Sequence, residues 1–213
     1  MKDRTAALAF VVLSASFSGI GAALPSYAAP VDAAAPAPRG NVPVRGPASV
    51  PYGWEEFCWR HAAECNAGPL EPLDVKLTPE KWKLIEGIHK RVNAWVKPVP
   101  DMEHWGIIDR WNYPIDGKGD CEDFALLKRS LLIEEGFPRQ ALLMTVVKDE
   151  RNEGHAVLTI KTTAGEFVLD NMNDEVMPWD RTGYRFVKRQ SQIDQNMWVQ
   201  IGDPTAAPDY VSR

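Results

Sequence analysis

A thiol acts as a nucleophile when a base manages its proton and a third group orients that base. Cys121 lies in Gly117-Lys118-Gly119-Asp120-Cys121-Glu122-Asp123-Phe124, where a glycine-containing loop passes into an apolar-periodic stretch. At a helix start, unsatisfied amides and the helix dipole lower a thiol's pKa, and the same amides can hold an oxyanion. The rival reading is an inert core cysteine, which three flanking acids disfavour. Of the four histidines, His155 is best placed for a base, because Gly154-His155-Ala156-Val157-Leu158 opens a strand just after a polar turn. His61 and His89 fall in helical stretches as surface or partly buried groups, and His104 lies in an aromatic loop. Asp170 closes the run Phe167-Val168-Leu169-Asp170, so adjacent antiparallel strands would set it beside His155. Alone it reads as a turn residue, but in the order Cys, His, Asp it reads as the group that orients the imidazole.

The elements that must position these residues follow from periodicity. Trp54 to Glu64 looks helical, and a second helix is predicted from Thr78 to Val96, with Thr78 as N-cap and Pro79 at the first helical position. Trp82, Ile85, Ile88, Val92 and Trp95 fall three or four apart and define a buried face. Pro98 to Gly119 is rich in turn formers and aromatics and reads as a loop. A third helix is predicted from Asp120 or Cys121 to Glu135, capped by Gly136, with Phe124, Leu127, Leu131 and Leu132 or Ile133 as its apolar face. The period then changes to that of strands at Ala141–Val147, His155–Thr162, Glu166–Asp170 and Trp198–Ile201, with Thr163-Ala164-Gly165 as a hairpin turn. Helices first and an antiparallel sheet afterwards predict an α+β fold.

Residues 1–28 carry Lys2 and Arg4, an uncharged apolar run from Ala6 to Ile20 and then small residues, the pattern of a secretory signal peptide cut after Ala28. That run is shorter than the ~20 residues of a bilayer span. Residues 29–51 are rich in Ala and Pro without apolar periodicity and are predicted to be a disordered leader. Residues 52–213 suit one domain with one core. The net charge of −5 argues against nucleic acid as a partner. Eight tryptophans read as core packing ahead of a stacking surface, and Trp105 and Trp111 as core or loop packing ahead of groove walls. Gly117-Lys118-Gly119 is not a phosphate loop, since neither the upstream glycine spacing nor a following Ser or Thr is present.

An oxidising compartment tends to pair cysteines, and three leave one over. Cys58 and Cys65 are the natural pair, provided that the helix carrying them breaks near Ala62 or Ala63. A zinc site from Cys58, His61 and Cys65 is the rival, without an evident fourth ligand.

Gly119-Asp120-Cys121-Glu122-Asp123-Phe124-Ala125, Gly154-His155-Ala156-Val157 and Leu169-Asp170-Asn171 together resemble the bacterial transglutaminase-like cysteine proteinases, which include the LapG-type adhesin-releasing proteases. The likeness runs from Trp54 through Val92-Asn93, Trp105-Gly106 and Trp111 to Arg189-Gln190-Ser191 and Trp198. It implies a papain-like α+β fold with Cys121, His155 and Asp170 as its triad, and a calcium ion held by the acids flanking the nucleophile, here Asp120, Glu122 and Asp123. Elementary electrostatics agrees that three carboxylates beside a thiolate oppose its ionisation and would welcome a cation. The alternative is that first-turn acids simply favour the helix dipole.

The expected function is that of a periplasmic endopeptidase working through a thioester on an exported or surface protein, such as an adhesin. The same intermediate could pass its acyl group to an amine, as in a transglutaminase, or serve a cell-wall peptide amidase. A non-catalytic binding module on this fold is a further alternative, against which the complete Cys121, His155 and Asp170 set argues.

Overall fold

Thr78 caps a helix here because its hydroxyl accepts the Lys81 N–H at 3.3 Å while Pro79 occupies a position that needs no donor. The computed structural model describes residues 40–211. In chain order these form strand β1 (Val44–Ala48), helices α1 (Tyr52–Arg60), α2 (Ala62–Cys65) and α3 (Pro79–Trp95), short strand β2 (Lys97–Pro98), helix α4 (Asp101–His104), short strand β3 (Lys118–Gly119) and helix α5 (Cys121–Glu134). Strands β4 (Leu142–Lys148), β5 (Gly154–Thr162), β6 (Gly165–Leu169), β7 (Met177–Pro178), β8 (Arg185–Gln190) and β9 (Trp198–Ile201) follow. The main sheet is antiparallel throughout, in the order β1-β9-β8-β4-β5-β6-β7, so the helices-then-sheet reading of an α+β fold holds.

One face of that sheet packs on the helices. Met144 and Val146 from β4, Ala156, Leu158 and Ile160 from β5, and Phe167 and Leu169 from β6 meet Ile85, Ile88 and Val92 of α3 and Phe124, Ala125 and Leu132 of α5 in one continuous core. The alternation along β5 and β6 sends Val157 and Val168 to the other face, where they join Phe186 and Ile201 in a smaller cluster. On that side Glu166 lies buried between Lys161, at 3.1 Å, and Arg189, at 2.6 Å, which matches its charge where water cannot.

Several expectations need correcting. Residues 44–48 are not a disordered leader, since β1 pairs with β9 through Val44↔Ile201 and Ala48↔Trp198 and Val42 is buried. Pro43 and Pro47 are compatible with this because an edge strand makes ladder bonds on one side only. The rest of the predicted leader up to Arg39, and the predicted signal peptide, lie outside the described residues. Trp95, assigned above to the buried face of α3, is 55% exposed at the helix end, while His89 takes a fully buried place on that face. Helix α5 is covered on more sides than one apolar stripe allows, because its first turn and the side chains of Lys128 and Arg129 are buried as well. Trp111 is wholly buried against Trp54 and Trp198, whereas Trp105 is 39% exposed.

Cys58 and Cys65 form a disulfide, with Cα atoms 5.6 Å apart, and the helix breaks at His61 to bring them together. The zinc alternative is thereby overturned: both sulfurs are bonded to each other, and the His61 ring packs on Phe57 and Tyr113 instead of facing a metal. Among the described residues no helix is long and apolar enough to cross a membrane. Closing so short a loop restricts the unfolded chain by about 2–3 kcal/mol. Replacing both cysteines with alanine, which leaves no buried hydroxyl at Cys65, is expected to lower unfolding free energy by about that much. A denaturant midpoint equal to that of the unaltered protein would contradict this.

Candidate active site

Helix α5 begins at Cys121, with Asp120 in the extended conformation before it. The approach to that start is tight. A Cβ on Gly119 would lie 2.5 Å from the Asp123 carboxylate, so only glycine lets the chain pass under the first turn. Cys121 is 1% exposed, and its sulfur accepts the Ala156 N–H from β5 at 3.4 Å and lies 3.2 Å from Glu122 Oε2. The helix start is thus pressed on the strand that carries His155.

His155 and Asp170 are brought together by adjacent strands, as their sequence setting suggests, with His155 Nε2 2.8 Å from Asp170 Oδ1. Asp170 also accepts the Met172 N–H at 3.0 Å and the Tyr184 hydroxyl. Burial opposes charge on His155, yet the hydrogen bond and negative charge of Asp170 and the neighbouring Cys121 outweigh it and hold the imidazole pKa up to about 10. Burial likewise opposes charge on Asp170, but His155, the Met172 amide and Tyr184 hold its pKa down to about 2. Both shifts favour a cationic imidazolium against an ionised aspartate. With Nε2 committed to Asp170, Nδ1 is the ring nitrogen left for the thiol, and it has no other hydrogen-bond partner among the described residues.

Residues outside the three sequence candidates hold this pair in place. Asn93 of α3 donates to the carbonyls of Asp170 and Asn173, both at 3.0 Å, and His89 bonds the Asn173 carbonyl at 2.9 Å. Burial, reinforced by the charge of Lys128, pushes His89 down to about 4, so it serves as a neutral hydrogen-bonding ring and not as a surface group. Tyr184 packs edge-on against His155 while bonding Asp170. His89 could have been found by its spacing from Ile85 and Val92, whereas Tyr184 lies in a turn without periodicity.

The acids around Cys121 are buried rather than displayed to solvent: Asp120, Glu122 and Asp123 are each at most 1% exposed. They are joined by two acids from the preceding loop that spacing did not single out, Asp101 and Asp109. Carboxylate oxygens of Asp101, Asp109 and Glu122, and separately of Asp101, Asp120 and Asp123, lie within 4.8 Å of one another, close enough to share a cation. The Asp101 N–H donates to Asp120 at 3.0 Å, the Arg110 N–H to Asp101, the Asn112 N–H to Asp123 at 2.7 Å and Trp111 Nε1 to Asp109 at 2.9 Å. One oxygen each of Asp101 and Glu122 still has no hydrogen-bond partner among the described residues. Burial first, and then mutual repulsion, raises Asp101 to about 6, Asp109 to about 7 and Asp123 to about 9, and pushes Glu122 well up. Closely spaced buried oxygens that cannot all ionise unaided are what a hard divalent cation binds, so the donor set fits calcium.

A family model for bacterial transglutaminase-like cysteine proteinases matches residues 44–206, and the chain belongs to that family. It is accordingly a cysteine proteinase with a protein substrate. Among solved structures, calcium-bound LapG of Legionella pneumophila is 24% identical with a TM-score of 0.48, over 62% of this chain and 76% of that one. A second LapG structure from the same organism is 25% identical with a TM-score of 0.49, over 58% and 71%. An EGTA-treated form is 23% identical with a TM-score of 0.46, over 60% and 74%. No curated protein matches the chain.

The raised carboxylates set a sign for stability against pH in protein stripped of divalent cations. Asp101, Asp109 and Asp123 keep protons in the fold that the unfolded chain, titrating near 4, has released. Their contribution to unfolding free energy therefore falls as pH rises above about 4. Asp170 acts oppositely, but only below about pH 4; His89, held down to about 4, acts oppositely up to its ordinary value of 6.5 and offsets only part of the effect of the three acids, while His155, raised to about 10, adds to the fall above 6.5. Lys128, held down to about 7 by burial, adds stability only above that pH. In chelator the melting temperature is expected to fall from pH 5 to pH 7, and Asp109→Asn is expected to flatten the fall. A melting temperature that rises over this window would refute the assignment.

Proposed function

We propose that the protein is an exported endopeptidase in which Cys121 is the nucleophile, His155 its acid and base, and Asp170 the group that holds the imidazole. The observation that carries this reading is the His155–Asp170 hydrogen bond lying beside the unpaired Cys121 at a helix start. The Cys121 thiolate attacks the substrate carbonyl carbon, forming a C–S bond, and the oxyanion is received by first-turn amides of α5, which have no intrahelical partners. The His155 imidazolium gives its proton to the leaving amine as the C–N bond breaks, leaving a thioester. His155 then takes a proton from water as its oxygen attacks the thioester, and the C–S bond breaks to restore the thiolate.

Asp101, Asp109, Asp120, Glu122 and Asp123 would hold a calcium ion. Bound there, it would supply positive charge that offsets carboxylates otherwise opposed to a thiolate at Cys121. The Cys58–Cys65 disulfide and the apolar run from Ala6 to Ile20 support a periplasmic location, and an exported or surface protein such as an adhesin is the substrate class we assign.

Two measurements test this reading. Cys121→Ala is expected to abolish cleavage of the substrate protein, and His155→Ala to slow alkylation of Cys121 by iodoacetamide at neutral pH. Incorporation of a labelled amine into a glutamine-bearing peptide, without cleavage, would replace the protease by an acyltransferase. Separately, a chelator is expected to remove most activity and calcium to restore it, with a calcium-dependent rise in melting temperature that Asp101→Asn reduces. Full activity in chelator, with no thermal shift on adding calcium, would remove the ion from the account.

A further inference from the structure

A nucleophile that must meet a peptide is here almost sealed: Cys121 is 1% exposed and His155 is fully buried. The helix and strand that carry them account for two sides of this enclosure. The stretch after β9, residues 202–211, has no regular secondary structure and returns to the start of β5, beside His155. A Cβ placed on Gly154, the residue before His155, would lie 2.2 Å from the Tyr210 carbonyl oxygen and 2.8 Å from Pro208 Cβ. Gly154 thus allows a second backbone to lie directly on the strand at the point where His155 enters the site.

The seat of this segment is built rather than incidental. Val211 is 3% exposed and belongs to the same core as Trp111 and Cys121. Alongside runs an open cleft of about 310 Å³, bordered by Tyr52, Asp109, Val146, Pro208 and Tyr210. An irregular chain lying along the strand start, with an apolar side chain in a buried seat, has the features of a bound peptide.

We propose that residues 208–211 lie in the track taken by the substrate peptide, closing the Cys121–His155 pair until a peptide displaces them, and that the seat of Val211 receives an apolar substrate side chain. This rests on the protease reading above. A tethered occupant competes at an effective concentration in the millimolar range, so even weak seating suppresses a dilute substrate strongly. The segment leaves β9 at Ile201, so lifting residues 208–211 breaks no main-sheet pairing.

The test compares the full chain, a chain ending at Asp203 and the full-length Val211→Asp variant, whose carboxylate cannot fill an apolar seat. Iodoacetamide reaction at Cys121, followed by mass, is expected to be about tenfold faster in both altered proteins. A synthetic peptide of residues 204–213 at millimolar concentration is expected to slow it again in the shortened chain. Cleavage of unfolded casein should rise in parallel through a lower KM at unchanged kcat. Should the shortened chain fail to fold, Val211→Asp in the intact chain carries the same comparison, with circular dichroism as the check on its fold. Equal alkylation rates in the full chain and the folded variants would overturn the proposal while leaving the protease reading intact. Faster alkylation with no cleavage by any of the three proteins would uphold the closure and sink the protease.

Discussion

The start of α5 is held by acids that cannot all be charged at once. Asp101, Asp109, Glu122 and Asp123 are each shifted towards the neutral form, chiefly because burial strips them of water. Their oxygens nevertheless accept the amides of Arg110 and Asn112 and the indole of Trp111, and Asp120 accepts the amide of Asp101. The long connection between α3 and α5 has little regular structure, so these side-chain to backbone bonds fix its course. Disturbing the protonation of the cluster therefore disturbs the loop, and through Asp120 and Asp123 the helix start that presents Cys121. A cation bound there would therefore act on the structure as well as on the electrostatics.

On the other side of Cys121 the charge is reversed. His155 is held cationic by Asp170, and Asp170 is held anionic by His155, the Met172 amide and Tyr184. Each partner helps the other overcome its burial, with Cys121 assisting His155 and the Met172 amide and Tyr184 assisting Asp170, so removing either leaves a buried charge less well matched. The support behind Asp170 avoids adding a competing charge at His89, whose ring is kept neutral and bonds a carbonyl. Lys128 is the nearby exception, a buried ammonium with no hydrogen-bond partner among the described residues, drawn partly towards Asp170. Its pKa of about 7 records the conflict between burial and that attraction.

Much of this was legible in the sequence wherever a single physical signal dominates. Thr78-Pro79 and Gly136 bound their helices because capping is local, and β4, β5, β6 and β9 announce themselves by β-branched and apolar runs. Strand β8 was hidden because Arg185, Lys188, Arg189 and Gln190 dilute its apolar residues, and Arg189 is buried only through Glu166 on another strand. Strand β1 was hidden by Pro43 and Pro47, whose compatibility with an edge depends on a partner about 150 residues away. The same limit applies to the site. Cys121, His155 and Asp170 stand out by residue type and setting, but Asp101, Asp109 and Tyr184 acquire their places only through chain crossings that no local window contains.

The near-complete burial of Cys121 also bears on how a single unpaired thiol can persist beside a disulfide. Thiol–disulfide exchange needs an attacking sulfur to approach a partner sulfur directly, and oxidation likewise needs access to the thiolate. A thiolate stabilised by an imidazolium is the form most exposed to both reactions if it can be reached. At 1% exposure it cannot be reached without motion of the surrounding chain. The cover that keeps peptides out therefore also keeps oxidants and other thiols out, and an enclosure that opens only to a well-seated peptide lets an unpaired Cys121 coexist with the Cys58–Cys65 disulfide.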